Sequence, residues 1–427
     1  MKALRTAALA GGILSLLAGM AWADGLIRDG IGPISTGRGG TNIARNDNGA
    51  IIYDNPAGMS NIEGDVLAEG GADLVYTDIH YQNALNDVHN TLKGFAAPQV
   101  AYMQRFGPDG RLTLGIGAFA PAGFMAQYNM VNPYIGDQNY RSLGMLCKVL
   151  PAASYQLSDR LSIGATCGIG ISHVELAGPY NMQTGILRGA PTQMNLDVSG
   201  VTPVWSVGLQ YIVDEDTTIG VCYNSQSRFG LNGHADASVF GLAPVPISSH
   251  FDANLALTWP RSLGIGATHK FLEQHRVSTD VIWYDWSSAF DQLGMTLTNP
   301  TNPLVGHLLG PTIHDTLPMK WRDSVSIRLG YEFYATQLDT FRAGYVYHSP
   351  AVPTATLNPY IDGVLQHSVS LGYSRKMRRD WTFNFAYQYM FGIPRTVNTS
   401  ELAGGEFNNS RLGAQAHWVM MSLMRCY

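Results

Sequence analysis

The 427-residue sequence is poor in charge and in cysteine. Charged side chains make up 14 % of it, whereas typical soluble domains have about a quarter. Its net charge of -5 is accompanied by no basic cluster, so nothing indicates nucleic-acid binding. Four cysteines, Cys147, Cys167, Cys222 and Cys426, have neither CxxC nor metal-type spacing. We interpret them as buried or lipid-facing thiols and expect neither a metal site nor a cofactor.

Long apolar runs are confined to the N-terminus. Lys2 and Arg5 precede an apolar run over residues 7–18, and Ala21-Trp22-Ala23 has the small-x-small pattern of a cleavage site. We assign residues 1–23 to a secretory signal peptide, with an uncleaved anchor helix as the alternative. Beyond residue 23 the sequence lacks the run of ~20 apolar residues that spans a bilayer as a helix. A membrane location therefore requires a closed β-barrel, the other structure that satisfies every backbone polar group in lipid.

Catalytic motifs are scarce as well. The 12 histidines show no HExxH or paired spacing, and no GxSxG-type elbow is present. Gly37-Arg38-Gly39-Gly40 lacks the Gly-Lys-Ser/Thr ending of a phosphate-binding loop. We therefore expect a protein that is not an enzyme. An outer-membrane lipid hydrolase, whose serine and histidine would come from distant positions, stays an alternative.

From about residue 65 onward, the dominant pattern has a period of two residues, which predicts β-strands. In residues 161–172 the odd positions are apolar and the even positions are small or polar, and residues 324–332 and 381–388 repeat this alternation. We count about fourteen such segments. They predict an all-β membrane protein, an antiparallel transmembrane β-barrel of about 14 strands.

The connections between the predicted strands are asymmetric. Short turns alternate with long segments at roughly 126–145, 178–200, 230–260 and 289–319, which we predict to be loops. Short turns at one end and long loops at the other are typical of outer-membrane barrels. Aromatic residues near strand ends, Trp283, Trp286, Trp321 and Trp381, are predicted to form interfacial girdles. A barrel of this size leaks unless it is plugged, and a general porin is the second alternative.

Several short motifs, each weak alone, are spread over nearly the whole mature chain. They are Gly37-Arg38-Gly39-Gly40, Asn55-Pro56-Ala57, Ala120-Pro121-Ala122-Gly123-Phe124, Trp259-Pro260-Arg261-Ser262-Leu263-Gly264, Trp286-Ser287, Lys320-Trp321-Arg322-Asp323-Ser324, and Arg342-Ala343-Gly344-Tyr345 with Ser349-Pro350-Ala351-Val352-Pro353. In this order and spacing they resemble the long-chain fatty acid transporter (FadL) family and its aromatic-hydrocarbon channel relatives. The resemblance implies residues 24–62 as an N-terminal hatch, or plug, inside the lumen. Residues 63–427 then form the barrel with long extracellular loops.

Asn55-Pro56-Ala57 is the hatch motif that the resemblance singles out. Asn55 can accept an orphan amide hydrogen bond and Pro56 suits the first position of a helix, so the pair predicts a helix start. The resemblance further implies that this corner of the hatch borders the exit of the ligand. A simple helix cap is the alternative.

Pro121 lies in a segment that otherwise reads as a strand beginning at residue 111. Proline cannot donate to a β-ladder, and a closed barrel has no edge to hold it. The resemblance implies an inward kink at Phe119, Ala120, Pro121 and Gly123 that opens a side window in the wall. The alternative is a strand that ends near Phe119, with Pro121 starting the outer loop.

The function implied by the resemblance is passive transport of hydrophobic compounds, either long-chain fatty acids or hydrocarbons. Capture at the outer loops, transfer to a lumen pocket and lateral release would complete the route. The candidate ligand-binding residues are Phe124, Met125, Tyr128, Leu304, Leu308, Arg328 and Arg342. The two arginines face the lumen by alternation, and pairing with acids such as Glu332 is the favoured alternative to binding a carboxylate. We expect a monomer in the Gram-negative outer membrane, in contact with bilayer lipid and lipopolysaccharide and without nucleic acid.

Overall fold

The structure is a computed structural model that describes residues 26–378 and 380–427. The predicted signal peptide, residues 1–23, lies outside the described residues. Within the described ranges, no helix is both long and apolar enough to cross a membrane. Twenty strand segments form one antiparallel sheet.

The strands are β1 (Val66–Gln82), β2 (Asp87–His89), β3 (Gly94–Phe106), β4 (Leu112–Asn132), β5 (Gly136–Ser158), β6 (Leu161–Asn181), β7 (Pro191–Ile212), β8 (Thr217–Asn224), β9 (Ser227–Val239), β10 (Ile247–Trp259), β11 (Ser262–Phe271), β12 (His275–Tyr284), β13 (Gln292–Thr298), β14 (Thr312–Pro318), β15 (Ser324–Tyr334), β16 (Asp339–His348), β17 (His367–Lys376), β18 (Trp381–Phe391), β19 (Arg395–Val397) and β20 (Ser410–Cys426). The helices are α1 (Gly32–Gly37), α2 (Ile51–Asp54), α3 (Trp286–Ala289) and α4 (Pro303–Leu309), with 3₁₀ turns at Pro56–Asn61 and Thr354–Thr356.

These segments build a closed barrel of fourteen strands. Four wall strands are each divided into two segments: β8 with β9, β10 with β11, β12 with β13, and β14 with β15. The lower segments, β8, β11, β12 and β15, pair with one another. The upper segments, β9, β10, β13 and β14, do the same. The short β2 and β19 are additions to β1 and β20. The wall closes where β1 pairs with β20 from Leu67 to Gln82. The predicted antiparallel barrel of about 14 strands is confirmed.

The two faces of the wall follow the predicted alternation. In β6, Ile163, Ile169 and Ile171 are exposed on the outside, whereas Ser162, Thr166 and Ser172 are buried. Apolar side chains outside and small polar ones inside are what a lipid-embedded barrel requires, because lipid contacts one face and the lumen the other.

The outer parts of the wall reverse this polarity. In β7, Leu196 and Val198 are buried inside, and Asn195 and Asp197 are exposed outside. The same reversal holds along β9 and β10, where Leu231 and Leu255 face inward. The four predicted loops are therefore wrong in large part. Residues 126–145 continue β4 and β5 as one hairpin, and the other three segments contain β7, β9, β10, β13 and β14. The reason is that strands extending beyond the lipid keep apolar side chains in the interior and expose their polar face to water.

The four divided strands are neighbours in the wall, so their breaks lie side by side, and aromatic side chains pack there. Trp286 and Trp321 are buried, with ring centroids 4.8 Å apart, and Phe290 lies 4.8 Å from Trp321. Asp285 caps α3, where its side chain accepts a bond from the backbone N–H of Ser288. The prediction of Trp286 and Trp321 as girdle residues is wrong, because the breaks turn both side chains into the barrel. Trp381 is exposed and Trp283 is half-buried.

Residues 26–62, here called the inner segment, lie against the inward face of the wall. Nearly all of them are buried, including Arg38, Ile51 and Asn55. Glycines on the wall make room for this contact. A Cβ at Gly208 would lie 1.9 Å from Asn55 Oδ1, and one at Gly344 would lie 2.0 Å from the backbone nitrogen of Gly39.

Candidate functional site: a gap in the barrel wall

The ladder between β4 and β5 contains a bulge at the predicted kink. Phe119 pairs with Lys148 and Ala122 with Leu146, so Ala120 and Pro121 together oppose Cys147. One extra residue on β4 moves the inward face from odd to even positions. Phe119 is thus buried inward below the bulge, and Ala122 and Phe124 are buried inward above it. Because β4 continues to Asn132, the alternative in which the strand ends near Phe119 is wrong.

Above the bulge, β4 leaves its other neighbour. Pairing between β3 and β4 runs from Phe106 with Leu112 only as far as Val100 with Ala118, while β3 continues upward as the partner of β1 to Gly94. Contact resumes higher up, where the backbone N–H of Thr91 donates to the carbonyl of Gln127 at 2.6 Å. The wall therefore has a gap in its hydrogen-bond ladder between residues 94–99 of β3 and residues 119–126 of β4.

The start of the inner segment occupies part of the free edge of β4. The backbone N–H of Arg28 donates to the carbonyl of Pro121 at 3.0 Å, and the N–H of Gly123 donates to the carbonyl of Leu26 at 3.0 Å. Ile27 and Ala122 form the bridge between them. Backbone groups that β3 does not reach are therefore satisfied from inside the barrel.

A cavity of about 900 Å³ lies behind the gap and includes both of its edges. We call it the wall cavity. Phe95 contributes from β3 and Phe124 from β4, and Met390 and Trp418 line the opposite side. Its lining is mostly apolar, as in binding sites for small hydrophobic ligands.

Arg28 is the one cation among the described residues that line the wall cavity, and it is neutralised. Its guanidinium forms a buried ion pair with Asp73, donates to the carbonyl of Ala120 at 3.3 Å and lies 4.6 Å from the Trp418 ring centroid. A carboxylate entering this cavity would have to compete with Asp73 for the guanidinium.

A second cavity of about 830 Å³, here called the outer cavity, lies in the upper part of the barrel. Leu196, Leu255 and Met295 line it from the strands, and Phe407 lines it from the segment that joins β19 to β20. The segment between β16 and β17 separates the two cavities: Tyr360 and Ile361 face the outer cavity, and Asp362 and Leu365 face the wall cavity.

Glu406 is the acid at the polar end of the outer cavity. Its carboxylate accepts a hydrogen bond from the Tyr140 hydroxyl and a longer one, at 3.4 Å, from Asn181 Nδ2. Burial raises the pKa of Glu406 to about 7, and hydrogen bonds from Tyr140 and Asn132 counteract part of that rise. The carboxyl therefore titrates near neutral pH.

The apolar candidate residues fall in different places. Phe124 and Met125 line the wall cavity, on a strand and not in an outer loop as expected. Tyr128 is buried in the apolar cluster of the upper barrel. Leu304 and Leu308 are exposed on α4 at the outer rim, where Leu308 borders a separate cavity of about 530 Å³.

The two candidate arginines do not reach either cavity. Arg328 is buried and donates to Ser326, to the Tyr284 hydroxyl and to the carbonyls of Asp29 and Gly40. Arg342 donates to Glu332 at 3.0 Å and to the Ser374 hydroxyl. The pairing with Glu332 that we favoured is present, and Arg328 is bound to the inner segment.

Asn55 starts a helical turn as predicted. Its Oδ1 accepts from the backbone N–H of Ala57 at 3.2 Å, with Pro56 at the first position of the 3₁₀ turn. Its Nδ2 donates to the carbonyls of Ile43 and Leu209 at 2.7 and 3.1 Å. The motif thus lies against the β6–β8 wall, since Gly164, Gly208 and Gly220 face it, and it does not line the wall cavity.

One grouping of aspartate, histidine and serine lies inside the barrel. Asp29 bonds both His348 and, at 2.6 Å, Ser368, so the serine does not contact the histidine. A hydrolytic relay needs histidine between the nucleophile and the acid. This arrangement attaches the inner segment to the wall and does not activate a nucleophile.

A sequence profile of the outer membrane protein transport protein family (OMPP1/FadL/TodX) matches residues 14–423. The chain belongs to this family. It is accordingly an outer-membrane transport protein and not an enzyme, which confirms the expected location.

Solved structures share the fold of this FadL-family chain. The toluene transporter TodX of P. putida is 21 % identical, with a TM-score of 0.78, and covers 93 % of this chain and 99 % of its own. The toluene transporter TbuX of Ralstonia pickettii is 22 % identical, with a TM-score of 0.72 and the same coverages. A FadL homologue of Pseudomonas aeruginosa is 16 % identical, with a TM-score of 0.74, and covers 94 % and 99 %. A search of curated protein sequences gave no match.

Sequence reasoning missed several residues of the FadL-family chain that line or order the cavities. Asp73 falls on the inward face of the first predicted strand, and an acid there is a readable signal for a buried partner. Trp418 is identifiable in the same way as an inward tryptophan of the last strand. Glu406 lies in an irregular segment, and its sequence carries no signal for the cavity.

Proposed function

We propose that this FadL-family protein moves neutral hydrophobic molecules passively across the outer membrane and releases them sideways through the gap between β3 and β4. The observation that carries the proposal is the position of the wall cavity. Its lining is mostly apolar, and it includes residues from both β3 and β4 at the place where these two strands stop pairing. A molecule held there has a path into lipid that avoids water.

The inner segment supports sideways release by acting as a plug. Wall side chains bind its backbone at several levels: Glu69 accepts from Gly49 N–H at 2.6 Å, and Asp280 accepts from the N–H groups of Asn42 and Ile43. Its Arg38 and Arg45 form ion pairs with Glu332 of β15. Downward passage would require these buried bonds to break.

The pairing of the cation at the wall cavity and of the two candidate arginines supports neutral cargo over fatty-acid anions. Arg28, the cation at the wall cavity, is already paired with Asp73, and Arg328 and Arg342 bind the inner segment or Glu332. The two toluene transporters with the same fold are named for a neutral aromatic cargo. We therefore favour neutral hydrophobic molecules over fatty-acid anions as the transported class.

Removal of the bulge tests lateral release. Deleting Pro121 removes both the extra residue of β4 and the missing backbone donor, and it leaves Phe119 and Phe124 on the inward face because the alternation then runs from Phe119 through Ala120 to Ala122. The deletion should restore pairing toward β3, close the gap and reduce toluene uptake by intact cells. The variant Pro121→Ala keeps the extra residue and serves as the control.

Barrel assembly is monitored by the heat-dependent mobility of the purified protein on denaturing gels. Undiminished toluene uptake by a well-assembled Pro121 deletion would contradict lateral release. Competition between toluene and a long-chain fatty acid in the same uptake assay tests the cargo. Preferential uptake of the fatty acid would contradict the neutral class.

A further inference from the structure

The outer cavity combines an apolar lining with one carboxylate. Its apolar lining includes Leu196, Leu255, Met295 and Phe407, and Glu406 supplies the carboxylate. Of its other polar side chains, Gln183 donates to the carbonyl of Asn181 and accepts from Ala403 N–H, and Tyr360 donates to the carbonyl of Pro179. Asn358 accepts from the backbone of Tyr360 and Ile361. These groups are committed to the protein itself.

Glu406 differs from these groups in its capacity for another partner. Its carboxylate accepts from Tyr140, from Asn132 and, at 3.4 Å, from Asn181, whereas an ionised carboxylate can accept about four hydrogen bonds. The residue is half-buried and lines the cavity. A donor on a bound molecule would complete its hydrogen bonding.

The same end of the cavity is negative. Asp315, buried behind the lining, accepts from the Tyr180 hydroxyl at 2.7 Å and from the backbone N–H of Gln183, and no lysine or arginine occurs among the described residues of the lining. Two carboxylates without a facing cation repel an anionic head group in an environment of low dielectric constant.

We propose that the outer cavity binds neutral single-ring molecules that carry a hydroxyl group, and that the hydroxyl donates a hydrogen bond to Glu406. This inference rests on the proposed function, because it names the cargo that the outer side of the barrel selects. Alkylphenols and aryl alcohols fit the site: the ring meets Leu196, Leu255 and Phe407, and the hydroxyl meets the acid. Aromatic carboxylates of the same size are excluded by charge.

The test measures equilibrium binding to the purified full-length barrel in detergent, by calorimetry, with toluene, 4-methylphenol and 4-methylbenzoate. At about pH 8 the unaltered protein should bind 4-methylphenol about tenfold more tightly than toluene, because a hydrogen bond to an ionised acceptor is stronger than one between neutral groups. 4-Methylbenzoate should bind more weakly than either. Glu406→Gln should bring 4-methylphenol close to toluene while toluene affinity stays unchanged.

Glu401→Gln is the matched control, because Glu401 lies in the same segment, is exposed and pairs with Lys320 away from the cavity. Its binding profile should equal that of the unaltered protein. If Glu406→Gln keeps the preference for 4-methylphenol, or if the unaltered protein binds 4-methylbenzoate as tightly as 4-methylphenol, the proposal is wrong. Toluene uptake by cells carrying Glu406→Gln reports separately on the proposed function.

A pH titration of the unaltered protein gives a test that does not depend on a variant. The titratable side chains facing Glu406 are Tyr81, Tyr140 and Tyr360, phenols that do not ionise below about pH 10. Asp315 lies behind the lining, where it accepts hydrogen bonds from Tyr180 and Gln183. Lowering the pH from about 8 to about 5.5 protonates Glu406, whereas a benzoate, with a carboxylic pKa near 4, stays ionised. Discrimination against 4-methylbenzoate should weaken over this range, and constant discrimination would overturn the assignment to Glu406.

Discussion

Replacing Glu332 with glutamine removes the acid at which three buried arginines meet. Glu332 lies 2.9 Å from Arg45, 3.0 Å from Arg342 and 3.3 Å from Arg38. Arg38 and Arg45 belong to the inner segment, and Glu332 and Arg342 belong to the wall. The substitution Glu332→Gln therefore weakens the attachment of the inner segment while changing side-chain volume very little.

The size of the effect follows from burial. Removing one member of a buried ion pair costs about 3–5 kcal/mol. Asp47 still lies 2.8 Å from Arg38 and contacts Arg45, so we take the lower figure, about 3 kcal/mol. Since about 1.4 kcal/mol corresponds to a tenfold change in an equilibrium constant, the displaced form of the inner segment should become about 100-fold more populated.

Limited proteolysis of the purified barrel measures this population, because cleavage follows the fraction of the open form when opening and reclosing are fast. We expect cleavage within residues 26–62 to accelerate about 100-fold, and ionic conductance in planar bilayers to rise as the lumen opens. Glu175→Gln is the control: Glu175 pairs with Arg141 at 2.7 Å on the outer surface, where such a pair contributes below about 1 kcal/mol. Cleavage and conductance equal to those of the unaltered protein would refute electrostatic attachment of the segment.

Three further substitutions test other contacts. Gly344→Ala places a Cβ 2.0 Å from the Gly39 nitrogen, so it should destabilise this contact by about 1–3 kcal/mol and speed proteolysis of the inner segment. Gly70→Ala, whose Cβ would have nothing within 4 Å, is the control and should leave the proteolysis rate unchanged. Equal rates in the two variants would contradict the close packing at Gly344. Trp286→Ala empties a buried site and should lower thermal stability by about 3–5 kcal/mol, clearly more than Trp283→Ala at the half-buried position, as measured by heat-dependent gel mobility. Asn55→Asp should retain the cap on Ala57 and lose the donors to Ile43 and Leu209. Its inner segment should therefore be cleaved faster than in the unaltered protein but more slowly than in Asn55→Ala. Equal cleavage rates in the two variants would show that the cap contributes nothing.

The lipid-facing part of the fold was predictable because one physical rule governs it. Ile163, Val325 and Phe383 alternate with small or polar residues, and lipid on one side permits no other arrangement. Pro121 lies within the register shift of β4, where its missing donor conflicts with a continuous ladder. The position of Asn55 at a helix start followed from local chemistry alone.

The upper barrel was not predictable by that rule. Asn195, Asp197 and Asn232 made these stretches read as loops, although their neighbours Leu196, Val198 and Leu231 pack in the interior. Contacts between residues that are distant in the sequence were the second feature that could not be predicted. The sequence around Trp286 is typical of an interfacial aromatic, and its inward position depends on breaks in four adjacent strands. Glu406 lies in a segment without a periodic pattern.

The reversal of polarity along β7 shows where the outward face of this strand passes from water into the bilayer. Its outward residues change from Asn195, Asp197 and Ser199 to Val201, Trp205 and Val207 within one step of the alternation. A scan of single lysines along these odd positions should be harmless up to 199 and increasingly disruptive from 201 toward 207, because the cost of a cation rises with its depth in hydrocarbon. The onset of that cost locates the outer surface of the bilayer on the protein.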